Sequence, residues 1–414
     1  MSTARPVAQI LTTSFPSAPG DPRGSFVAAL CEALAPRWER IEVLSPAPLE
    51  PAAGAYARSR GAHQGPRPLS LRAPLTRHQS PDPFGLFAGE GAPERLSHAP
   101  LRGALAGFIV TRGLRRLARQ RWSAVAREGA DVELCCHWLL PGPFVTPAPA
   151  LYYCHGSDLA LLEGLPGAPL IARHLARSAR GIIFVSEALR ARFEALLKEP
   201  ASCPLWVCPM GSAPPAPEGL LRAQLCAGKS GMLLLATVGR LVPIKGYRFL
   251  AKALACATLR ERIWWVAAGD GPERAPLQRW CRGAGIRLTL LGTLSPSERD
   301  ALLDAADLFA LPSVPQGRRA EGAPLALMEA LQAGCPTICS ALPGPLEVSA
   351  EGGAWTPPAG SLRAWRLALR AALDPWSRRR RSALARARGA RFSWAHLAPR
   401  HDQLLSECFR RGRS

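Results

Sequence analysis

The sequence predicts an α/β protein of two domains, and three observations carry that expectation. A chain of 414 residues is too long for one compact core and suits two domains of roughly 200 residues each. Short apolar runs ending in glycine- or proline-bearing loops recur along it, the pattern of buried parallel strands that feed ligand loops. Pro214, Pro215, Pro217 and several glycines interrupt the series and mark a linker at 213–230, between a first domain of residues 1–212 and a second of 231–390.

In the first domain, Val7–Thr12 reads as a strand, followed by a turn-rich loop over 15–27 that includes Gly24 and runs into an apolar-periodic helix through Leu34. Ile41–Leu44 is a second strand. Residues 46–100 are rich in Pro, Gly and Arg with little periodicity, and read as a long, partly flexible excursion able to frame an acceptor. From Leu101 to Trp122 a helix is expected, with Leu105, Phe108, Ile109, Leu114 and Leu117 on one face and Arg112, Arg115, Arg116, Arg119 and Arg121 towards its end. A helix lying on an anionic membrane and a domain helix with a solvated basic face both fit that pattern. Val132–Cys136 is a strand ending in His137, and Leu151–Cys154 one ending in His155-Gly156-Ser157-Asp158. A histidine at a strand's C-terminal end, beside a glycine that lets backbone approach closely, stands where parallel sheets place their sites. Runs at 181–186 and 205–209 continue the strand series.

The second domain opens with the apolar strand Met232–Val238, then Gly239-Arg240-Leu241-Val242-Pro243-Ile244-Lys245-Gly246. Two cations five positions apart across a turn can converge on one diphosphate, Arg as a planar fork and Lys as a point charge. Strands at 264–268 and 288–291 lead into Gly269-Asp270-Gly271-Pro272 and Gly292-Thr293. Asp307–Pro312 is an apolar run stopped by proline, and a helix is expected to begin near Pro324, where the missing N–H would be an orphan anyway. Its free N–H groups and positive dipole end suit an anion held in the preceding loop. Glu321 and Glu329 flank that place, and an ionised carboxylate can accept from two neighbouring hydroxyls. Residues 336–340 form a further strand.

At these residues the sequence resembles a known family. Glu321-Gly322-Ala323-Pro324, then Glu329, then Ala330 with Gly334 and Pro336, is similar to the signature of glycosyltransferase family 4, of the bacterial surface-polysaccharide type. Gly-Arg-Leu-x-x-x-Lys-Gly at 239–246 resembles the same family's diphosphate clamp, and His-Gly-Ser-Asp at 155–158 its sugar-side segment. The resemblance implies the GT-B fold: α/β, two Rossmann-like domains facing a central cleft, with a terminal helix over 391–414 crossing back to the first. It implies catalytic roles for His155, Arg240, Lys245 and Glu321. Donor contacts are implied at Gly239, Gly269, Gly271, Gly322, Ala323, Pro324, Leu325 and Glu329, the last holding ribose hydroxyls. Gly24, His137 and Asp158 become acceptor-side candidates. The implied reaction moves a sugar from a UDP- or GDP-sugar to a hydroxyl of a glycan, a lipid-linked or a small-molecule acceptor. It proceeds with retention, without a metal or other cofactor, the leaving phosphate taking the acceptor proton. Two segments depart from the family pattern. Gly211-Ser212-Ala213 lacks its aspartate, and Pro343-Gly344-Pro345-Leu346-Glu347 replaces its Gly-Gly-Ile-Pro-Glu.

Composition bounds the partners. The net charge of +21 comes almost wholly from arginine, since Lys198, Lys229, Lys245 and Lys252 are the only lysines. It favours anionic partners such as nucleotide phosphates or an acidic membrane surface, to which the run Arg378–Arg381 also points. Neither a recognition module nor interleaved aromatics supports nucleic acid. The twelve cysteines lack metal-ligand spacing and read as reduced, buried thiols. With no secretory start and no bilayer-length apolar run, a cytoplasmic protein is expected, peripheral at the inner membrane face if the basic segments dock there. A nucleotide-sugar-binding or membrane scaffold without turnover and a GT-B sugar-nucleotide epimerase are the rival readings.

Overall fold

The computed structural model describes residues 7–12, 25–48, 75–82, 100–128, 132–136 and 142–411. The chain divides into two compact units, Met1–Cys208 with Ala398–Ser414, and Pro209–Leu397.

The first unit carries a parallel sheet built from β1 (Val7–Leu11), β2 (Arg40–Pro48), β3 (Leu75–Asp82), β4 (Val132–Cys136), β5 (Ala150–Cys154), β6 (Ala179–Phe184) and β7 (Leu205–Val207), in the order β3-β2-β1-β4-β5-β6-β7. Its helices are α1 (Ser25–Leu34), α2 (Pro100–Arg127), α3 (Gly142–Val145), α4 (Ser157–Leu162), α5 (Ala168–Ser178) and α6 (Glu187–Leu197). The excursion expected over 46–100 is corrected in part: β2 runs on to Pro48 and β3 pairs along its whole length. Among the described residues β1 pairs with β2 only as far as Leu44, while β3 pairs with it out to Pro48. β3 is the edge strand and reads polar, with Thr76 and Gln79 exposed.

α2 is a domain helix. Leu114, Ala118 and Val125 are buried, and Arg121 reaches the sheet to pair with Glu42. The reading of this segment as a membrane-surface helix gives way to packing over its described half, because that apolar face is used by the unit's own core. Glu42 is wholly buried on β2, accepts also from Gln9 Nε2 at 3.0 Å and has Arg40 Nε at 3.6 Å, so a carboxylate inside the sheet is compensated by charge and hydrogen bonding.

The second unit holds β8 (Leu233–Val238), β9 (Ile263–Ala268), β10 (Leu288–Gly292), β11 (Leu308–Leu311) and β12 (Thr337–Cys339), ordered β10-β9-β8-β11-β12 with parallel pairing throughout. Strand order reverses between β8 and β11, the switch point at which open α/β sheets bind ligands. Alternation in β9 explains the near-continuous apolar runs: Ile263, Trp265 and Ala267 enter one core, and Trp264, Val266 and Ala268 the other. The helices are α7 (Gly219–Gly228), α8 (Tyr247–Leu254), α9 (Ala257–Arg260), α10 (Arg274–Gly283), α11 (Pro296–Ala305), α12 (Leu325–Gln332), α13 (Pro343–Ser349), α14 (Leu362–Ala371) and α15 (Pro375–Ala390).

Helix α7 occupies the stretch read as a linker over 213–230, a second correction. Glu218 caps it, accepting from the Leu220 and Leu221 N–H groups at 2.9 and 2.6 Å, and Leu225 is buried in the core. The proline cluster thus ends one residue before a cap. The last helix, α16 (Trp394–Arg411), passes from the second unit into the first at Ala398, where His401, Leu404, Leu405 and Cys408 are buried.

Removing one partner of a buried ion pair strands the other, so Glu42→Ala is expected to lower stability by about 3 kcal/mol in urea unfolding, and Glu32→Ala, exposed on α1, by less than about 0.5 kcal/mol. Equal effects of the two substitutions would contradict the role given to Glu42.

Candidate functional site

At the C-terminal end of β8 the chain turns sharply. Gly239 N–H donates to Ala268 O at 3.0 Å and Leu241 N–H to Asp270 O at 2.8 Å, lashing this loop to the Gly269–Gly271 segment after β9. The contact is backbone on backbone: a Cβ at Gly269 would stand 2.0 Å from Gly239 O. Arg240 is exposed on the loop. A short 3-10 turn, Pro243–Lys245, follows and ends at Gly246, whose φ of 68° and contact with Pro312 exclude any side chain. The turn fixes where Lys245 points.

Lys245 Nζ lies 2.7 Å from Glu321 Oε1, with the two side chains 18% and 12% exposed. Ser313 Oγ donates to the same oxygen at 3.2 Å from the loop after β11. Two motifs read separately in the sequence are thereby joined at the switch point. Tyr247 is buried beneath Gly239, where burial first and then the charge of Glu321 hold its phenol well above its usual range.

Gly322 and Ala323 lead to Pro324, the N-cap of α12, and the Leu325 and Ala326 N–H groups precede its first backbone bond, Leu327 N–H to Pro324 O at 3.1 Å. Gly344, in the departed segment, backs this loop, since a Cβ there would stand 2.0 Å from Gly322 O and 2.4 Å from Glu321 O. The prolines on either side of Gly344 are accommodated in the first turn of α13. Glu329 follows on α12 and meets Arg299 of α11, Nη1 to Oε1 at 2.7 Å, while Arg299 also grips Asp300. Burial, opposed by Arg299 and reinforced by Asp300, raises the Glu329 carboxyl from 4.5 to about 7.

In the first unit His155 follows β5. It lies 4.7 Å from the Phe26 ring and stacks on Tyr153 at 6.0 Å, centroid to centroid. Burial, then the nearby His401, pushes its imidazole down to about 3, so it is neutral at pH 7. His401, wholly buried on α16, holds the Tyr153 hydroxyl at 2.9 Å and lies 3.4 Å from Cys208 Sγ. Asp158 turns to its own backbone, accepting from the Gly156 and Leu159 N–H groups at 3.3 and 3.0 Å. Gly24 and His137 lie outside the described residues.

Sequence reasoning missed Arg299, Ser313, Tyr247, Gly344 and His401. Gly344 alone carried a signal, as the one glycine kept in a segment that otherwise departs from its pattern.

The family described as Glycosyl transferases group 1 matches residues 228–387, the stretch that holds Arg240, Lys245, Glu321 and Glu329. Among curated proteins, D-inositol 3-phosphate glycosyltransferase of Corynebacterium glutamicum is 32% identical over 185 residues, 42% of this chain and 43% of that protein. An uncharacterized glycosyltransferase of Methanocaldococcus jannaschii is 31% identical over 115 residues, 27% of this chain and 28% of that one. The chain thus matches less than half the length of these curated relatives. Among solved structures, sucrose-phosphate synthase of Thermosynechococcus elongatus has a TM-score of 0.73 at 19% identity, covering 98% of this chain and 99% of that one. Anabaena HepE in complex with UDP and glucose has a TM-score of 0.67 at 19% identity, covering 97% and 100%. The fold is therefore that expected, GT-B with two Rossmann-like domains.

The pKa of Glu329 sets a pH window. The folded state binds this proton more tightly than the unfolded one, so the stability it confers is complete below about pH 4.5 and lost as pH rises through about 7. Between about pH 5 and pH 8, urea unfolding of the wild type is expected to lose about 2 kcal/mol relative to Glu329→Gln. Parallel pH profiles would place the titration elsewhere.

Proposed function

We propose that this protein is a glycosyltransferase that moves a sugar from a UDP- or GDP-sugar to an acceptor hydroxyl with retention, in polysaccharide or glycolipid synthesis. The observation that carries the reading is the Lys245–Glu321 pair, set beside exposed Arg240 at the switch point and inside the segment that matches group 1 glycosyltransferases. The UDP and glucose of the HepE structure support a donor of this class.

In the reaction the bond from the sugar's anomeric carbon to the diphosphate oxygen breaks, a bond to the acceptor oxygen forms, and the acceptor proton leaves on the departing phosphate. Charge grows on that diphosphate. Arg240 and Lys245 stabilise it more in the transition state than in the ground state, which is the catalytic contribution and calls for no metal ion. Glu321 accepts from sugar hydroxyls, and Glu329, steadied by Arg299, from the ribose. Neutral His155 serves as a hydrogen-bonding group on the sugar side rather than as a cation. The acceptor is a glycan, a lipid-linked glycan or a small molecule, and the protein acts in the cytoplasm.

Calorimetry with a panel of UDP- and GDP-sugars, without added metal, tests the donor. One donor is expected to saturate the wild type and to bind Arg240→Ala about a hundredfold more weakly, the loss of a charge-assisted contact. Failure of every donor would overturn the reading.

Lys245→Ala and Glu321→Ala are each expected to abolish transfer while the circular dichroism spectrum is unchanged. Near-normal turnover in either would remove the pair from the catalytic site, and donor binding without turnover on any acceptor would favour a scaffold.

A further inference from the structure

Helix α15 presents a cationic face that donor binding does not use. Arg378, Arg379, Ser382 and Arg386 share one side of it, at helical spacing, and line an open cavity of about 350 Å³. The opposite wall comes from residues that lead into β11 and β12, Ala306–Asp307 and Cys335–Pro336. The cavity therefore lies at the N-terminal edge of the second unit's sheet, whereas Arg240 follows the C-terminal end of β8 and Glu321 follows β11.

The charges there do not cancel. Two carboxylates line the cavity, and each already has a cation: Asp304 pairs with Arg222, and Asp307 with Lys229 at 3.0 Å while also accepting from the Leu234 N–H at 2.9 Å. Among the described residues no carboxylate pairs with Arg378, Arg379 or Arg386. Arg378 donates to Ala372 O at 2.6 Å, and Arg386 lies across Gly334, where a Cβ would stand 2.6 Å from its Nε. Ser382 Oγ satisfies Gly334 O at 2.6 Å, closing the end of α12 that would otherwise repel an anion. Other arginines of this helix are occupied, Arg381 over the Trp355 ring and Arg388 over Phe392.

Beside the cavity, one turn before Arg379 and Arg380, Trp376 is 67% exposed, and Leu384 is 42% exposed further along the helix. Guanidinium forks matched to phosphate oxygens, flanked by an exposed indole, form the combination that suits the headgroup layer of a bilayer. We propose that this face of α15 docks the protein on an anionic phospholipid surface, the cavity arginines gripping headgroup phosphates and Trp376 entering the interface. Docking here leaves the Lys245–Glu321 site untouched and does not depend on what that site transfers.

Sedimentation with phosphatidylglycerol-containing vesicles tests the proposal, with phosphatidylcholine vesicles as the uncharged reference. An arginine near such a surface contributes about fivefold to partitioning, so Arg379→Gln/Arg386→Gln is expected to bind about thirtyfold more weakly than the wild type. The same charge removed from exposed Arg279 and Arg282 on α10 is expected to cost less than about threefold, the long-range contribution alone. Equal losses in the two double variants would reduce the effect to the chain's overall charge and overturn the site. So would absent binding by the wild type, equal binding to phosphatidylcholine, or an α15 variant that binds as well as the wild type. Donor calorimetry on the α15 variant, expected to match the wild type, separates failure of docking from failure of the transferase reading and verifies folding.

Discussion

The ion pair between Lys245 and Glu321 is the constraint on which the second unit's functional end depends. Both side chains are largely withdrawn from water, and such a pair recovers its desolvation cost only with close geometry and further hydrogen bonds. The 2.7 Å contact and the Ser313 hydroxyl supply these. In doing so they tie the loop after β8 to the loop after β11, the two strands between which the sheet reverses its order.

That tie requires backbones to come closer than side chains allow. Gly246 against Pro312, Gly269 against Gly239, and Gly344 against the carbonyls of Glu321 and Gly322 are contacts a single Cβ would break. The glycines are there because carbonyl oxygens occupy the space. A site assembled from loop backbone in this way can offer N–H groups and carbonyls to a ligand while its charged side chains stay fixed from behind.

Arginine serves three physical ends in this chain. Arg121 enters the first unit's sheet to meet Glu42, and Arg299 steadies Glu329. Arg287, Arg381 and Arg388 lie over aromatic rings, where a planar, weakly hydrated cation packs better than lysine would. On α15, Arg378, Arg379 and Arg386 line a cavity, and among the described residues no carboxylate pairs with them.

The sequence alone determined the α/β class and the second unit's strands, because a strand covered on both faces must be apolar at every position, as β9 is. It also singled out the short segments that hold Arg240, Lys245, Glu321 and Glu329, of which the structure brings Lys245 and Glu321 together. The edge strand β3 was not legible, because with one neighbour and exposed side chains such as Thr76 and Gln79 it has no reason to be apolar. Helix α7 was hidden behind prolines that end one residue before its cap. Only the tertiary structure decided that Leu114, Ala118 and Val125 of α2 are spent on its own unit, that Arg299 meets Glu329, and that His401 lies beneath Tyr153 and His155. These pairings join residues far apart in the chain, and nothing in local periodicity encodes which distant surface a side chain will meet once the helices pack.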